Sequence, residues 1–168
     1  MTPLRFAAGL LSIAGLLASS GARADDVDYR TGGKRFAETW HAFYDLADHA
    51  PEIDDPLIAA GPRMVPAICE AVAHRDMKFR RHAIAALGYI GDRRALQALQ
   101  TILDDGTEAE QARGDALISI YRIDRALGTR NARQYRHADA FVAHVSEAIL
   151  RNDAWLLAPS EEQGPFQE

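Results

Sequence analysis

Cysteine is nearly absent: Cys69 is the single thiol in 168 residues. One cysteine excludes an internal disulfide, a paired-thiol redox centre and a multi-cysteine metal site. Cys69 lies in an apolar run and reads as a buried, inert side chain. Lysine is scarce as well, with only Lys34 and Lys78, so arginine supplies nearly all the positive charge. The formal charge is −5. Without Arg5 and Arg23 of the acid-free first 24 residues it becomes −7. An acidic chain repels phosphate backbones, which argues against general nucleic-acid binding. Aromatic residues make up only 8%. Val, Ile and Thr never alternate over a run, so no strand is expected. There is no Gly-rich phosphate loop, no Gly-x-Ser-x-Gly and no His-Glu dipeptide.

What remains is an Ala- and Leu-rich chain, 48% hydrophobic, of a length that suits one domain with a real core. That composition favours helices.

Residues 1–24 read as an export signal. Arg5 precedes an apolar core from Phe6 to Ala18, and Ala22-Arg23-Ala24 forms the small-x-small pattern a signal peptidase cleaves after. The apolar core has 13 residues, short of the roughly 20 that a membrane span needs. Cleavage after Ala24 is expected, with release to a bacterial periplasm. Residues 25–34 should form a flexible N-terminus, 35–152 the helical domain, and 153–168 a largely disordered tail in which Trp155-Leu156-Leu157 can fold back on the last helix.

Within the domain the apolar spacing predicts successive helices. Phe36, Trp40, Phe43, Tyr44 and Ala47 share one face. Pro51 ends that helix. Asp54 or Asp55 caps a short one with Pro56 in its first turn and Gly61 at its end. Val65, Ile68 and Val72 form the next stripe. Asp76 is the expected N-cap of a helix running to Ile90, which Gly91 stops. Asp92 caps the following helix, with Leu96, Leu99, Ile102 and Leu103 inward. Another helix spans Glu108 to Ile123. Residues 124–133 are expected to be loop, and Tyr135 to Arg151 the last helix.

These helices repeat. Arg80, Ala83, Ile84, Leu87 and Ile90 align with Arg113, Ala116, Leu117, Ile120 and Ile123 at an offset of 33. Val65, Ile68 and Val72 align with Leu96, Leu99 and Leu103 at 31. A helix pair recurring at this period marks a helical solenoid. The stretch FRRHAIAALGYIGDRRALQALQTILDD resembles a HEAT repeat, of the type named after phycobilisome lyases. The matching places are Phe79, Arg80, Ala83, Ala86-Leu87-Gly88, Gly91-Asp92, Ala95-Leu96 and Leu99. The second copy departs from the pattern at Tyr121 and Asp124, as a terminal copy would.

This resemblance implies an all-α fold: a short right-handed α-solenoid of antiparallel helix pairs with helical caps. It implies that Arg80 and Arg113 bond to an Asp of a nearby turn, with Asp76, Asp104 and Asp105 as the candidates for Arg80. Some relatives are di-iron hydroxylases that use His-Glu pairs, which this chain lacks. No cofactor, metal or catalytic residue is assigned. His41, Asp45, Asp48 and His49 fall near one helical face and read as a solvated face rather than a metal site. His137 and His144, seven residues apart, read as boundary positions.

The face of the second repeat helices that the core does not use carries Arg81, His82, Tyr89, Asp115, Ile118 and Arg122. In helical stacks such helices line the concave side, and this mix suits a protein contact. The expectation is therefore a non-catalytic interaction module for another envelope protein or peptide. Small-molecule or tetrapyrrole-like binding of the lyase type is the alternative.

Overall fold

The computed structural model describes residues 36–46 and 55–153. The readings for residues 1–35, for Asp54 as a cap and for Trp155-Leu156-Leu157 lie outside the described residues. All regular structure among those described is helical.

Helix α1 is Ala37–Asp45, with Trp40 and Phe43 buried. Helix α2, Pro56–Ala60, starts at Asp55, whose carboxylate accepts from the Leu57 and Ile58 amides. Gly61 ends it at φ 68, and one 3-10 turn, Gly61–Met64, leads into α3, Val65–Ala71. Pro66 falls in the first turn of α3, where a missing N–H costs least.

Three antiparallel pairs follow one another. The first joins α3 to α4, Arg80–Ile90. The second joins α5, Leu96–Asp104, to α6, Glu110–Ile123. The third joins α7, Arg125–Tyr135, to α8, Ala140–Arg151. Helix α4 packs on α6 and α6 on α8, so the second helices form one layer. One apolar core runs through the stack, from Trp40 and Phe43 at the α1 end through Leu87, Leu99 and Leu117 to Val145 and Ile149.

Close approach between second helices depends on small residues. A Cβ on Gly88 would lie 2.8 Å from the Ser119 Cα. The Ser119 hydroxyl donates to the Ile84 carbonyl at 3.0 Å. Gly91 stops α4 in the left-handed region at φ 73, its amide bonded to the Leu87 carbonyl. Asp92 and Asp124 each accept a backbone amide at the start of the next helical stretch.

Three expectations are corrected. Residues 124–133 are not loop: Arg125–Tyr135 is helix α7. Its core face is Gly128, Asn131 and Ala132, so it carries almost no apolar stripe. The last helix accordingly begins at Ala140 rather than Tyr135. Asp76 does not cap α4. The chain first buries Met77, and Phe79 stands at the helix start in a left-handed conformation, φ 57, without a side-chain cap. A bulky residue with positive φ is uncommon. Here the ring is held against Phe43 and Tyr44 of α1, with centroids 6.2 and 6.3 Å away.

Candidate functional site

Two sets of polar side chains organise the stack. One lies along the edge where the first helices end and the second begin. Arg80 is buried, and its Nε donates to the Val72 carbonyl at 2.7 Å. Its terminal nitrogen donates to Glu108 at 2.8 Å. One pair further on, the Arg113 Nε donates to the Leu103 carbonyl at 3.0 Å, and its guanidinium pairs with Asp139. Each arginine therefore satisfies an orphan carbonyl at the end of its own first helix and binds the turn of the next pair. Arg75 reinforces the edge, pairing with Asp105 and donating to the Thr107 hydroxyl at 2.8 Å.

The expected partners of Arg80 are thereby corrected. Asp105 serves Arg75 and its own turn, Asp104 takes Gln100 and Tyr135, and Glu108 is the residue that reaches Arg80. Glu108 and Asp139 stand 31 residues apart, the same offset as the first-helix stripe. That spacing was the available signal for this pair of residues. The Asp expected beside Arg113 is Asp139.

Burial works to raise the Glu108 carboxyl. The Arg80 guanidinium and the Ala109 amide outweigh it, so Glu108 sits below its ordinary range. Tyr135 closes the edge, its hydroxyl on Asp104; burial first, and then that carboxylate, push it up to about 12.

The second set is the outward face of α4 and α6, and all six singled-out residues belong to it. Arg81 grips Asp115 through two nitrogens, at 2.7 and 3.3 Å. Arg122 lies over the Tyr89 ring, 4.1 Å from its centroid. His82 packs edge-on against Phe79 at 6.1 Å. Ile118, half-buried, falls on α6 between Asp115 and Arg122.

Asp115 is buried and the other five are half-buried. Burial raises the Asp115 carboxyl above its ordinary value, and Arg81 only partly offsets it. Burial likewise lowers the Arg122 guanidinium, against the opposing fields of Tyr89 and Asp115. The face is thus a pair of cross-helix contacts, one ionic and one cation–π, rather than a row of independent side chains.

Residues 47–120 match the family model of HEAT repeats. Over that span the chain is similar to HEAT repeats. No curated protein and no solved structure gave a match. The match ends within α6, while the arginine edge continues past it, from Arg113 to Asp139 in the turn before α8.

Other residues considered for chemistry are dispersed. His41 and Asp45 are both exposed on α1, while Asp48 and His49 lie outside the described residues. Among the described residues no three His, Cys, Asp or Glu side chains are grouped to hold a metal ion. His137 and His144 are both exposed. Cys69 is half-buried beside an open groove of about 330 Å³ between α3 and α5, also lined by Val72, Arg94, Ala98 and Ile102. Burial, followed by the field of Asp92, raises its thiol above the ordinary value, which favours the protonated form.

Proposed function

We propose that this chain is a non-catalytic HEAT-repeat scaffold of the bacterial cell envelope, exported by its N-terminal signal, which binds another envelope protein or peptide on the α4–α6 face. HEAT repeats are commonly protein-interaction scaffolds, and the repeats here are also tied together by an edge network separate from the α4–α6 face. The carrying observation is the arrangement of Arg81, Asp115, Tyr89 and Arg122. Charged and aromatic groups are pre-ordered across two helices. Aromatic and arginine side chains held in one conformation lose little entropy on contact, which is the usual make-up of an energetic anchor.

Photo-crosslinking in intact cells tests this reading. A photoreactive residue is placed at His82 or Ile118, and at Gln97 or Thr101 on α5 as the comparison. The expected result is one discrete adduct from the α4–α6 positions only, lost with Tyr89→Ala and Arg122→Ala. Equal adducts from both faces, or an adduct indifferent to those two changes, would overturn the assignment.

A further inference from the structure

The outward side of helix α7 is basic throughout. From Arg125 to Ala138 the sequence holds four arginines and no acid, within a chain of net charge −5. Arg125, Arg130 and Arg133 belong to α7 and Arg136 is its C-cap, and all four are exposed. At about 3.6 residues per turn they fall within less than half the circumference of the helix, on the side away from Gly128 and Asn131. The rest of that arc is Ala126, Thr129 and His137. At 1.5 Å per residue the four cations span about 16 Å along the axis.

No carboxylate answers these charges. Seven arginines elsewhere in the described chain pair with an Asp or Glu. Among the described residues none of these four does: Arg125 lies 5.8 Å from the Tyr121 ring, and the Arg136 Nε donates to His137 at 2.9 Å. The acids that flank α7 are engaged elsewhere. Asp104 takes Gln100 and Tyr135, Asp124 takes Arg93 and caps the helix, and Asp139 takes Arg113. Arg125, in the first turn, also stands where the helix dipole disfavours a cation, a position that helix stability does not select.

What such a face accepts follows from its make-up. A protein contact is anchored by buried aromatic or large side chains seated in pockets, and this arc offers only exposed arginines between small residues. A sheet of phosphate headgroups needs no such anchor. Each exposed arginine adds its own attraction, and the guanidinium fork matches phosphate oxygens. Screening over about 8 Å at physiological ionic strength confines the interaction to the charges nearest the surface, so the net charge of the whole chain does not cancel it. We propose that α7 is a membrane-docking surface, which lays the stack against anionic phospholipid headgroups without entering the bilayer. The choice of phospholipid over nucleic acid rests on the export proposed above. The α4–α6 face is a separate surface and takes no part in the docking.

Vesicle flotation of the purified full chain tests this, with vesicles of phosphatidylcholine alone and of equal parts phosphatidylcholine and phosphatidylglycerol. The expected result is preferential binding to the phosphatidylglycerol vesicles, weakening as salt rises. Arg130→Gln and Arg133→Gln should each reduce that preference about fivefold. Arg63→Gln, at an exposed arginine outside α7, should leave it unchanged. All three side chains are exposed, so the unfolding midpoints should match the unaltered chain and separate lost charge from lost fold. Equal binding to both vesicles overturns the proposal. So does a preference that survives the double substitution or falls equally with Arg63→Gln. Binding to polyglutamate or duplex DNA but not to the vesicles would assign the face to another polyanion and overturn it as well. None of these outcomes bears on the crosslinks from His82 or Ile118, so the two surfaces stand or fall separately.

Discussion

Arg80 and Arg113 do the same work in successive helix pairs. Each donates its Nε to a carbonyl at the end of the preceding first helix, Val72 or Leu103, and each pairs with a carboxylate of the following turn, Glu108 or Asp139. Both guanidinium groups are buried although neither turn is apolar. Removing one therefore strands a carbonyl and a carboxylate together. Arg80→Ala should destabilise the fold by about 3–5 kcal/mol, the range for breaking a buried pair by deleting one partner. Denaturant unfolding measures it. A double-mutant cycle with Glu108→Gln should show non-additivity of at least about 0.5 kcal/mol, because the two side chains touch.

The same pair sets an acid limit. Glu108 is held below its ordinary carboxyl range in the folded chain, so the folded state binds its proton less tightly than the unfolded state does. The resulting stabilisation is present above the unfolded value of about 4.5 and is lost as pH falls through the lower folded value. Thermal melts across pH 3–6 should show wild-type stability falling in that window. Glu108→Gln should start lower at pH 6 and lose less on acidification. An equal slope in the two proteins would remove Glu108 from the acid response.

The core stripe and the glycine contacts make separable predictions. Leu87 is fully buried. Leu87→Ala should cost about 2–5 kcal/mol through lost burial and the cavity left behind. Gly88→Ala adds one carbon where the Ser119 backbone is 2.8 Å away, and a backbone cannot rotate aside. A loss of about 1–3 kcal/mol is expected from the forced separation of α4 and α6. Gly106→Ala is the control, with nothing near its Cβ. If Gly88→Ala and Gly106→Ala gave equal midpoints, the close approach would carry no energetic weight.

Much of this molecule was legible because its core is periodic. The stripes Ala83-Ile84-Leu87 and Leu99-Ile102-Leu103 fall where the helices do, and the positions of Asp55, Gly61, Gly91 and Asp92 marked the ends of their elements. Helix α7 escaped that logic. It packs so near Tyr121 that its core face is built from Gly128, Asn131 and Ala132, residues with little hydrophobic signal. The start of α4 escaped for another reason. Asp76 is an ordinary cap in sequence, but the α1 aromatics hold Phe79 in a left-handed conformation and begin the helix there, a tertiary effect with no local mark. The face residues were found by subtracting the core stripe. Their pairing across helices could not be, since Arg81–Asp115 and Tyr89–Arg122 join residues 34 and 33 apart through the packing of α4 on α6.

That pairing supplies the last prediction. Asp115 is buried with a raised carboxyl, and the Arg81 bonds are the first force acting against the rise. A group whose folded pKa lies above its unfolded value is bound to its proton more tightly in the folded state, so its contribution falls as pH rises from the unfolded value through the folded one. Arg81→Met keeps much of the side-chain bulk and removes the donor. It should move the Asp115 titration further upward, read by carbon-detected NMR of the side-chain carboxyl. At neutral pH it should also cost stability, because the carboxylate is left without its cation. Asp115→Asn in the same background should restore part of that loss by removing the charge. If Arg81→Met left the Asp115 titration where it was, the two-nitrogen grip would not be what holds this carboxylate, and the ordered α4–α6 face would lose its ionic half.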